Sequence, residues 1–196
     1  MNKVSGKRQL QKTATREHIL NTALAVYAEH GFSASTNVIA QEARLAHGTV
    51  FVHFPTREDM LQRTLERFAS ELGDKLHELS ETEDDLKNFL YTHIDILTKY
   101  EHLYKNIITE LSSLPPAATT SLIAVQSIAS HHFGNVIANC AGRYAVKPIP
   151  LHMLFNIWMA LLHYYLLNSE LFAPGRSVLN SRRDELVNSY MELIRN

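Results

Sequence analysis

The chain has 196 residues, of which 45% are hydrophobic and 20% are charged, a composition typical of a globular protein with one or two packed domains. Nineteen lysines and arginines nearly balance twenty aspartates and glutamates, which excludes a protein that coats nucleic acid through bulk positive charge. The single cysteine, Cys140, excludes a disulfide framework, and we expect a cytoplasmic protein.

The charges are unevenly distributed along the chain. Residues 1–57 hold seven basic and three acidic side chains, whereas the remaining residues hold twelve basic and seventeen acidic ones. A basic amino-terminal segment joined to an acidic body is typical of a DNA-binding domain attached to a different module. The alternative is a basic, disordered tail with no partner.

The first predicted helix is amphipathic and ends at Gly31, which can adopt the left-handed conformation that closes a helix. Two short helices follow, the first capped by Ser35 or Thr36 and the second covering residues 47–54. Residues 44–46 separate these two helices. Two short helices joined by a tight turn with an apolar residue inside it are typical of a helix-turn-helix motif.

The rest of the sequence predicts longer helices. We expect a fourth helix from Thr56 to Leu79, then breaks at the acidic residues 81–85, at Pro115-Pro116 and near Gly142.

The most apolar segment, Leu151 to Leu167, has hydrophobic residues on nearly every side of its predicted helix. Two prolines, two histidines and two asparagines interrupt the uncharged stretch 148–169, so we expect a buried or interface helix and not a membrane span. With no alternating strand pattern, the predicted fold is all-α with about nine helices. Residues 1–56 then form a helix-turn-helix domain with a basic arm, and residues 57–196 an effector-binding and dimerisation domain.

Residues 13–62 resemble the amino-terminal domain of TetR-type transcriptional regulators. The resemblance rests on Thr15-Arg16, Ile19-Leu20, Ala23, Glu29-His30-Gly31-Phe32, Ile39-Ala40, Ala43, Gly48-Thr49, His53-Phe54, Glu58 and Leu61. It implies a homodimer, usually a repressor, whose third helix enters the major groove of a pseudo-palindromic operator. It also implies that a small-molecule effector bound to the second domain releases the DNA.

The third helix supplies a plausible surface for reading DNA. His47 and His53 can donate to phosphate or base edges, Gly48 allows close backbone approach, and Thr49 offers a hydroxyl or a methyl group. The resemblance implies further phosphate contacts. These involve Ser35, Thr36 and Asn37 at the start of the second helix and Arg57 after the third. The basic residues Lys7, Arg8, Lys12 and Arg16 are expected to form an arm that reaches along the groove.

Several residues depart from the family pattern. Phe51 replaces a common tyrosine and keeps only stacking or methyl contact, and Val52 replaces a frequent aromatic or basic residue. Ala46 lacks the usual capping hydroxyl, which costs about 1 kcal/mol of local helix stability. Arg44 occupies the place of a turn glycine, which adds either mild strain or an extra phosphate contact.

No enzymatic motif accompanies these features. The sequence contains no phosphate-binding glycine loop, zinc-protease helix or serine-hydrolase elbow, so we expect no enzyme and no cofactor. The adjacent pair His131-His132 points in two directions on a helix, so we expect no metal site. The alternative function is an all-α ligand-binding or enzymatic protein whose amino-terminal helices merely cap the core.

Two more sites are predicted in the second domain. For a four-helix dimer interface we expect Leu154, Leu161, Leu186, Val187, Tyr190 and Ile194, although these residues alternatively close the core of one subunit. For the effector we expect a neutral or weakly polar ligand, because the segment 111–142 is uncharged. The expected lining is Phe89, His93, Leu97, Tyr100, Tyr104, Ile108, Phe133, Trp158, Leu162 and Tyr165; a fully packed core is the alternative.

Overall fold

A computed structural model describes residues 3–82, 85–140 and 145–196, with side chains described for residues 6–78, 85–140 and 145–196. Within these ranges the chain forms eleven α-helices. They are α1 (Lys3–His30), α2 (Thr36–Glu42), α3 (His47–His53), α4 (Arg57–Thr82), α5 (Leu86–Thr98), α6 (Glu101–Glu110), α7 (Pro116–Asn139), α8 (Leu151–Leu167), α9 (Ser169–Phe172), α10 (Val178–Ser181) and α11 (Arg183–Ile194), with a short 3₁₀ helix at Leu111–Ser113.

The predicted all-α class is confirmed, since the described residues contain no β-strand beyond an isolated bridge between Val146 and Arg195. The chain has more helices than the nine expected because α9 and α10 are only four residues long, which is too short for a periodic pattern. Within the described ranges, no helix has the length and hydropathy that crossing a membrane requires.

Local signals set most helix ends. Gly31 has φ 74°, the left-handed conformation expected after α1. The Ser35 hydroxyl accepts from the Val38 amide at 3.4 Å, the Thr56 hydroxyl accepts from the Asp59 amide at 3.0 Å, and Pro116 is the first residue of α7. The other expected breaks fall partly on Glu83, Asp84 and Gly142, which lie outside the described residues.

The three amino-terminal helices pack their apolar faces together within the continuous hydrophobic core of the chain. Ile19 and Tyr27 of α1, Ile39 of α2, and Val50 and Phe54 at the end of α3 are at most 1% exposed. These apolar residues share the inner faces of the three helices, and because α2 and α3 have only seven residues each, mutual burial against α1 holds them in place.

The larger unit is built around the pair α4 and α7, with α5 and α8 packed beside them and α11 packed on α5 and α8. Its centre is Trp158 on α8, which is fully buried beside the ring of Tyr190 from α11 at 5.1 Å between centroids. The Tyr190 hydroxyl donates to the carbonyl of Leu154 at 2.7 Å, which fixes α11 against α8.

A polar joint connects the two units. The Asn106 amide on α6 donates to the carbonyls of Tyr27 and Ala28 at 2.8 and 3.0 Å, and a Glu110 oxygen accepts from the Phe32 amide at 3.2 Å. These side chains satisfy the Ala28 carbonyl and the Phe32 amide where α1 ends, whereas the Tyr27 carbonyl also accepts from the Gly31 amide at 3.1 Å. Movement of α6 therefore acts directly on the end of α1.

Candidate DNA interface and effector cavity

The turn between α2 and α3 is tight and carries one strained residue. Arg44 has φ 55°, the left-handed region that favours glycine. The Leu45 amide donates to the Ala40 carbonyl at 2.9 Å, which closes the turn. Ala46 at the amino-terminal cap of α3 makes no side-chain capping bond, as the sequence predicts. The geometry is that of a helix-turn-helix.

The outward side of α3 is a small, uncharged surface. His47, Gly48, Phe51 and Val52 are exposed, and Thr49 is half-buried. Because Val50 is 1% exposed and packs inward, the helix is fixed with the other residues facing out. Neutral side chains of this size fit the major groove, where they contact base edges and thymine methyl groups.

Contacts among side chains pre-organise this surface. The Thr36 hydroxyl on α2 lies 3.0 Å from Nε2 of His47, and the His47 ring meets Phe51 edge-on at 4.9 Å between centroids. Ser35 is exposed and already caps α2, and Asn37 is exposed on its first turn. Contact of these residues with DNA stays a prediction.

Two arginines expected at the phosphates are engaged within the domain. The Arg16 guanidinium donates to the His53 carbonyl at 3.1 Å and lies 4.3 Å from the centre of the Phe54 ring. The Arg57 guanidinium donates to the carbonyl of Phe32. Both side chains therefore hold helix ends in place, a structural role that the sequence pattern did not predict.

His53 lies beneath the basic arm. Burial lowers the pKa of its imidazole, and the positive charges of Lys12 and Arg16 lower that pKa further. Its Nδ1 atom is buried and has no hydrogen-bond partner among the described side chains. Lys12 is exposed on α1, because the expected arm is a helical extension of α1 in the structure.

A cavity of about 200 Å³ lies in the middle of the larger unit. Its walls come from α4, α5, α6, α7 and α8, and none of the described residues that line it is aspartate, glutamate, lysine or arginine. It reaches the surface near Leu111 and Ile123, which are 44% and 58% exposed. An uncharged cavity of this kind admits a small, largely apolar molecule.

Two hydrogen-bonded pairs of polar groups lie at the cavity wall. The Tyr104 hydroxyl lies 2.9 Å from Nε2 of His163, and burial raises the pKa of Tyr104 to about 12 and lowers that of His163. In the second pair, the Trp158 indole N–H donates to Nδ1 of His93 at 3.0 Å. Burial lowers the pKa of His93 to about 4, and a smaller effect comes from His163. Both imidazoles are neutral at pH 7.

The predicted effector lining is partly corrected by the structure. His93, Leu97, Tyr104 and Ile108 line the cavity. The other six predicted residues do not, because they pack into the surrounding core or onto other helices; these are Phe89, Tyr100, Phe133, Trp158, Leu162 and Tyr165.

Several lining residues were missed from the sequence. On α8 they are Phe155, Met159 and His163, which follow one another at intervals of four residues on one face of the helix. That spacing, ending in a histidine inside an apolar helix, was the available signal. On α7 the missed polar residues are Thr119 and Gln126.

The structure places most of the predicted dimer residues in the core of a single chain, and the dimer itself stays a prediction. Five of the six are at most 2% exposed; they are Leu154, Leu186, Val187, Tyr190 and Ile194. They close the core between α8 and α11, the alternative that the sequence left open. Leu161 alone among the predicted residues keeps partial exposure.

A different face of α8 is apolar and uncovered. Met153, Tyr164 and Leu167 are 43%, 55% and 48% exposed, and they lie on one side of the helix with Ile157 and Ala160. The intervals between these residues alternate between three and four, which produces a continuous stripe. Scattered apolar residues on a surface are ordinary, whereas a stripe marks an interaction surface.

The histidines on α4 and α7 do not form a metal site. His131 and His132 have ring centres 5.7 Å apart, and His77 lies 5.7 Å from His132. Among the described residues, no three histidine, cysteine, aspartate or glutamate side chains are arranged to hold a metal ion.

Comparison with known proteins agrees with this geometry. Residues 19–64 match the family model of the bacterial regulatory proteins of the tetR family. Solved structures share the whole fold. A transcriptional regulator from Saccharomonospora viridis in complex with choline has a TM-score of 0.77 and 20% identity, over 94% of this chain and 99% of that chain. Reduced NemR from E. coli has a TM-score of 0.70 and 16% identity, over 93% of this chain and 97% of that chain. FadR from Bacillus subtilis in complex with stearoyl-CoA has a TM-score of 0.66 and 16% identity, over 90% of this chain and 96% of that chain. No curated protein matches the chain.

The resemblance predicted from the sequence is thus confirmed. The amino-terminal helices match the family model of the tetR-type regulators, and the chain as a whole has the fold of solved TetR-family transcriptional regulators.

Proposed function

We propose that this TetR-type regulator is a cytoplasmic, homodimeric repressor that leaves its operator when a small molecule enters the central cavity. The observation that carries the proposal is the position of α6. One side of this helix lines the cavity with Tyr104, Ile107 and Ile108, and the other side holds the end of α1 through Asn106 and Glu110. One helix of ten residues thus contacts both the ligand space and the DNA-binding domain.

Helix α4 supplies a second connection. It begins at Arg57, directly after the helix-turn-helix, and lines the cavity with Phe68, Leu72 and Leu76. An ion pair between Arg67 of α4 and Glu17 also joins it to α1. A ligand that separates α4 from α6 displaces both helices that contact the amino-terminal domain. For release, the ligand must prefer the shifted form by about 1 to 3 kcal/mol.

The proposed dimer uses the outward stripe of α8 defined by Met153, Ile157, Ala160, Tyr164 and Leu167. Two copies related by a two-fold axis bury these stripes against each other, and such symmetry matches a pseudo-palindromic operator. The variant Tyr164→Glu/Leu167→Glu should sediment as a folded monomer, because both side chains are exposed in one chain. Leu10→Glu, at a leucine of α1 that is 73% exposed, is the control. A wild-type protein that is monomeric at micromolar concentration contradicts the proposal.

Selection from random duplexes tests the DNA-binding function. We expect enrichment of a pseudo-palindrome with half-sites separated by about one turn of B-DNA or slightly more. Thr49→Ala should weaken binding to the selected site by about 1 to 3 kcal/mol, whereas Thr120→Ala, at an exposed threonine of α7, should not.

A second candidate function is a ligand-binding or enzymatic protein without a role on DNA. The buried, uncharged cavity with a tyrosine and two histidines favours it. If the selection enriches no sequence, this second function replaces the first.

A further inference from the structure

The tautomer of His93, a hydrogen-bond donor in the cavity wall, is fixed by its neighbour Trp158. His93 on α5 is 2% exposed and lines the cavity. Its Nδ1 atom accepts the indole N–H of Trp158 at 3.0 Å. An indole nitrogen only donates, so Nδ1 carries no proton. The neutral ring therefore carries its proton on Nε2.

The Nε2–H group faces the cavity. The two nitrogens lie on different edges of the ring, and the Nδ1 edge is covered by Trp158, which is behind the cavity wall. Within the described part of the chain, Nε2 has no hydrogen-bond partner. A buried donor without a partner is costly, so an occupant that accepts its hydrogen bond is favoured over one that cannot.

The other polar pair, Tyr104 and His163, is hydrogen-bonded internally. The Tyr104 hydroxyl lies 2.9 Å from His163 Nε2. Around these groups the wall is apolar, with Leu72, Leu97 and Phe155 among its members. No described lining residue bears a charge that would pair with an ionic ligand.

We propose that the effector is a small, neutral, mostly apolar molecule with a carbonyl-type acceptor that bonds to Nε2–H of His93. This inference rests on the proposed function for its regulatory meaning. A cavity of about 200 Å³ sets the size, since an apolar cavity of about 150 Å³ holds benzene. Choline, found with the Saccharomonospora viridis regulator, is a cation and falls outside this class.

The test compares two isosteric probes, cyclohexanone and methylenecyclohexane, which differ only in whether the ring carries C=O or C=CH₂. Binding to the full-length protein is measured by calorimetry and by fluorescence of Trp158, the single tryptophan, without DNA. The measured quantity is the ratio of the two dissociation constants. His93→Phe should shift this ratio toward the alkene by about tenfold or more, because the variant keeps a ring but loses the donor.

His132→Phe is the matched control, because His132 is also buried but does not line the cavity. It should leave the ratio unchanged. In the wild type, cyclohexanone should also move the ¹⁵N resonance of His93 Nε2, whereas methylenecyclohexane should not, and this measurement needs no folded variant. An unchanged ratio in His93→Phe, an Nε2 resonance that ignores the ketone, choline binding more tightly than the ketone, or no binding of either neutral probe would each overturn the proposal.

DNA release is measured separately, by anisotropy of a labelled selected operator. A ketone that binds through His93 but leaves the operator bound refutes the proposed function and leaves the ligand class standing. If a charged compound releases DNA equally well from the wild type and from His93→Phe, the ligand class is refuted and the proposed function stands.

Discussion

Acidification should destabilise this protein through His93. The pKa of this histidine is about 4 in the folded chain, because burial disfavours the charged ring and His163 nearby adds a smaller effect; the ordinary value of 6.5 applies after unfolding. Between these two values the unfolded chain binds the proton and the folded chain does not. The contribution to stability is therefore complete above about pH 6.5 and is lost as the pH falls toward 4.

The size of the effect follows from the two pKa values. Their difference corresponds to a loss of about 3 kcal/mol from this one side chain, at about 1.4 kcal/mol for each unit of pH. Since small proteins are stable by only about 5 to 15 kcal/mol, the loss should be easy to measure. The lowered pKa values of His53, His132 and His163 act in the same direction.

Urea unfolding at fixed protein concentration, between about pH 7.5 and pH 4, measures this loss. His93→Asn does not titrate, and its carbonyl oxygen takes the place of Nδ1 opposite the Trp158 indole. The variant should be less stable than the wild type at pH 7.5 but should lose about 3 kcal/mol less on acidification. His152→Asn, at an exposed histidine, should follow the wild type. Parallel curves for the wild type and His93→Asn would refute the reasoning.

Three further predictions concern the backbone of the DNA-binding domain, and urea unfolding at pH 7.5 checks each of them. Arg44→Gly should raise the free energy of unfolding by about 1 kcal/mol, since the residue has φ 55°; no gain would mean that the turn is not strained. Ala46→Ser should add about 1 kcal/mol by capping α3, and an unchanged midpoint would count against a free cap position. Gly31→Ala should cost about 1 to 2 kcal/mol, because φ is 74° and a methyl group would lie 2.8 Å from a Glu110 oxygen; a neutral result would contradict the geometry of the joint.

Periodicity and turn chemistry predicted the helices of this chain but not their partners. The bounds of α8, Leu151 to Leu167, follow from prolines before it and a polar residue after it, and the structure agrees. Which side of α8 remains open could not be predicted, because an apolar side chain such as Leu186 looks the same whether its own chain or a second copy covers it. The outward stripe has no distinct sequence signal because α8 is apolar on nearly every side.

The functional residues were harder to predict for a related reason. Arg16 and Arg57 stand where a phosphate contact is expected, but carbonyls of the same domain accept their hydrogen bonds. A guanidinium binds either kind of oxygen, and only the three-dimensional structure distinguishes them. Trp158 was expected at the cavity wall, whereas it lies behind His93. There its indole N–H donates to Nδ1 of His93 and so places the His93 proton on Nε2. Such second-layer roles depend on helix packing and leave no pattern in the sequence.

The uncharged surface of α3 has a consequence for the salt dependence of DNA binding. Its seven residues, HGTVFVH, include no lysine or arginine, and Arg16 and Arg57 are held inside the domain. Attraction to random DNA depends on cations that displace counterions from phosphates, and in this domain the exposed cations lie on α1 (Lys7, Arg8 and Lys12) and at Arg44 in the turn. The charges that would set the salt dependence of binding are therefore separate from the surface that would contact bases. Removing Lys7 and Arg8 should flatten the salt dependence and leave the sequence preference unchanged.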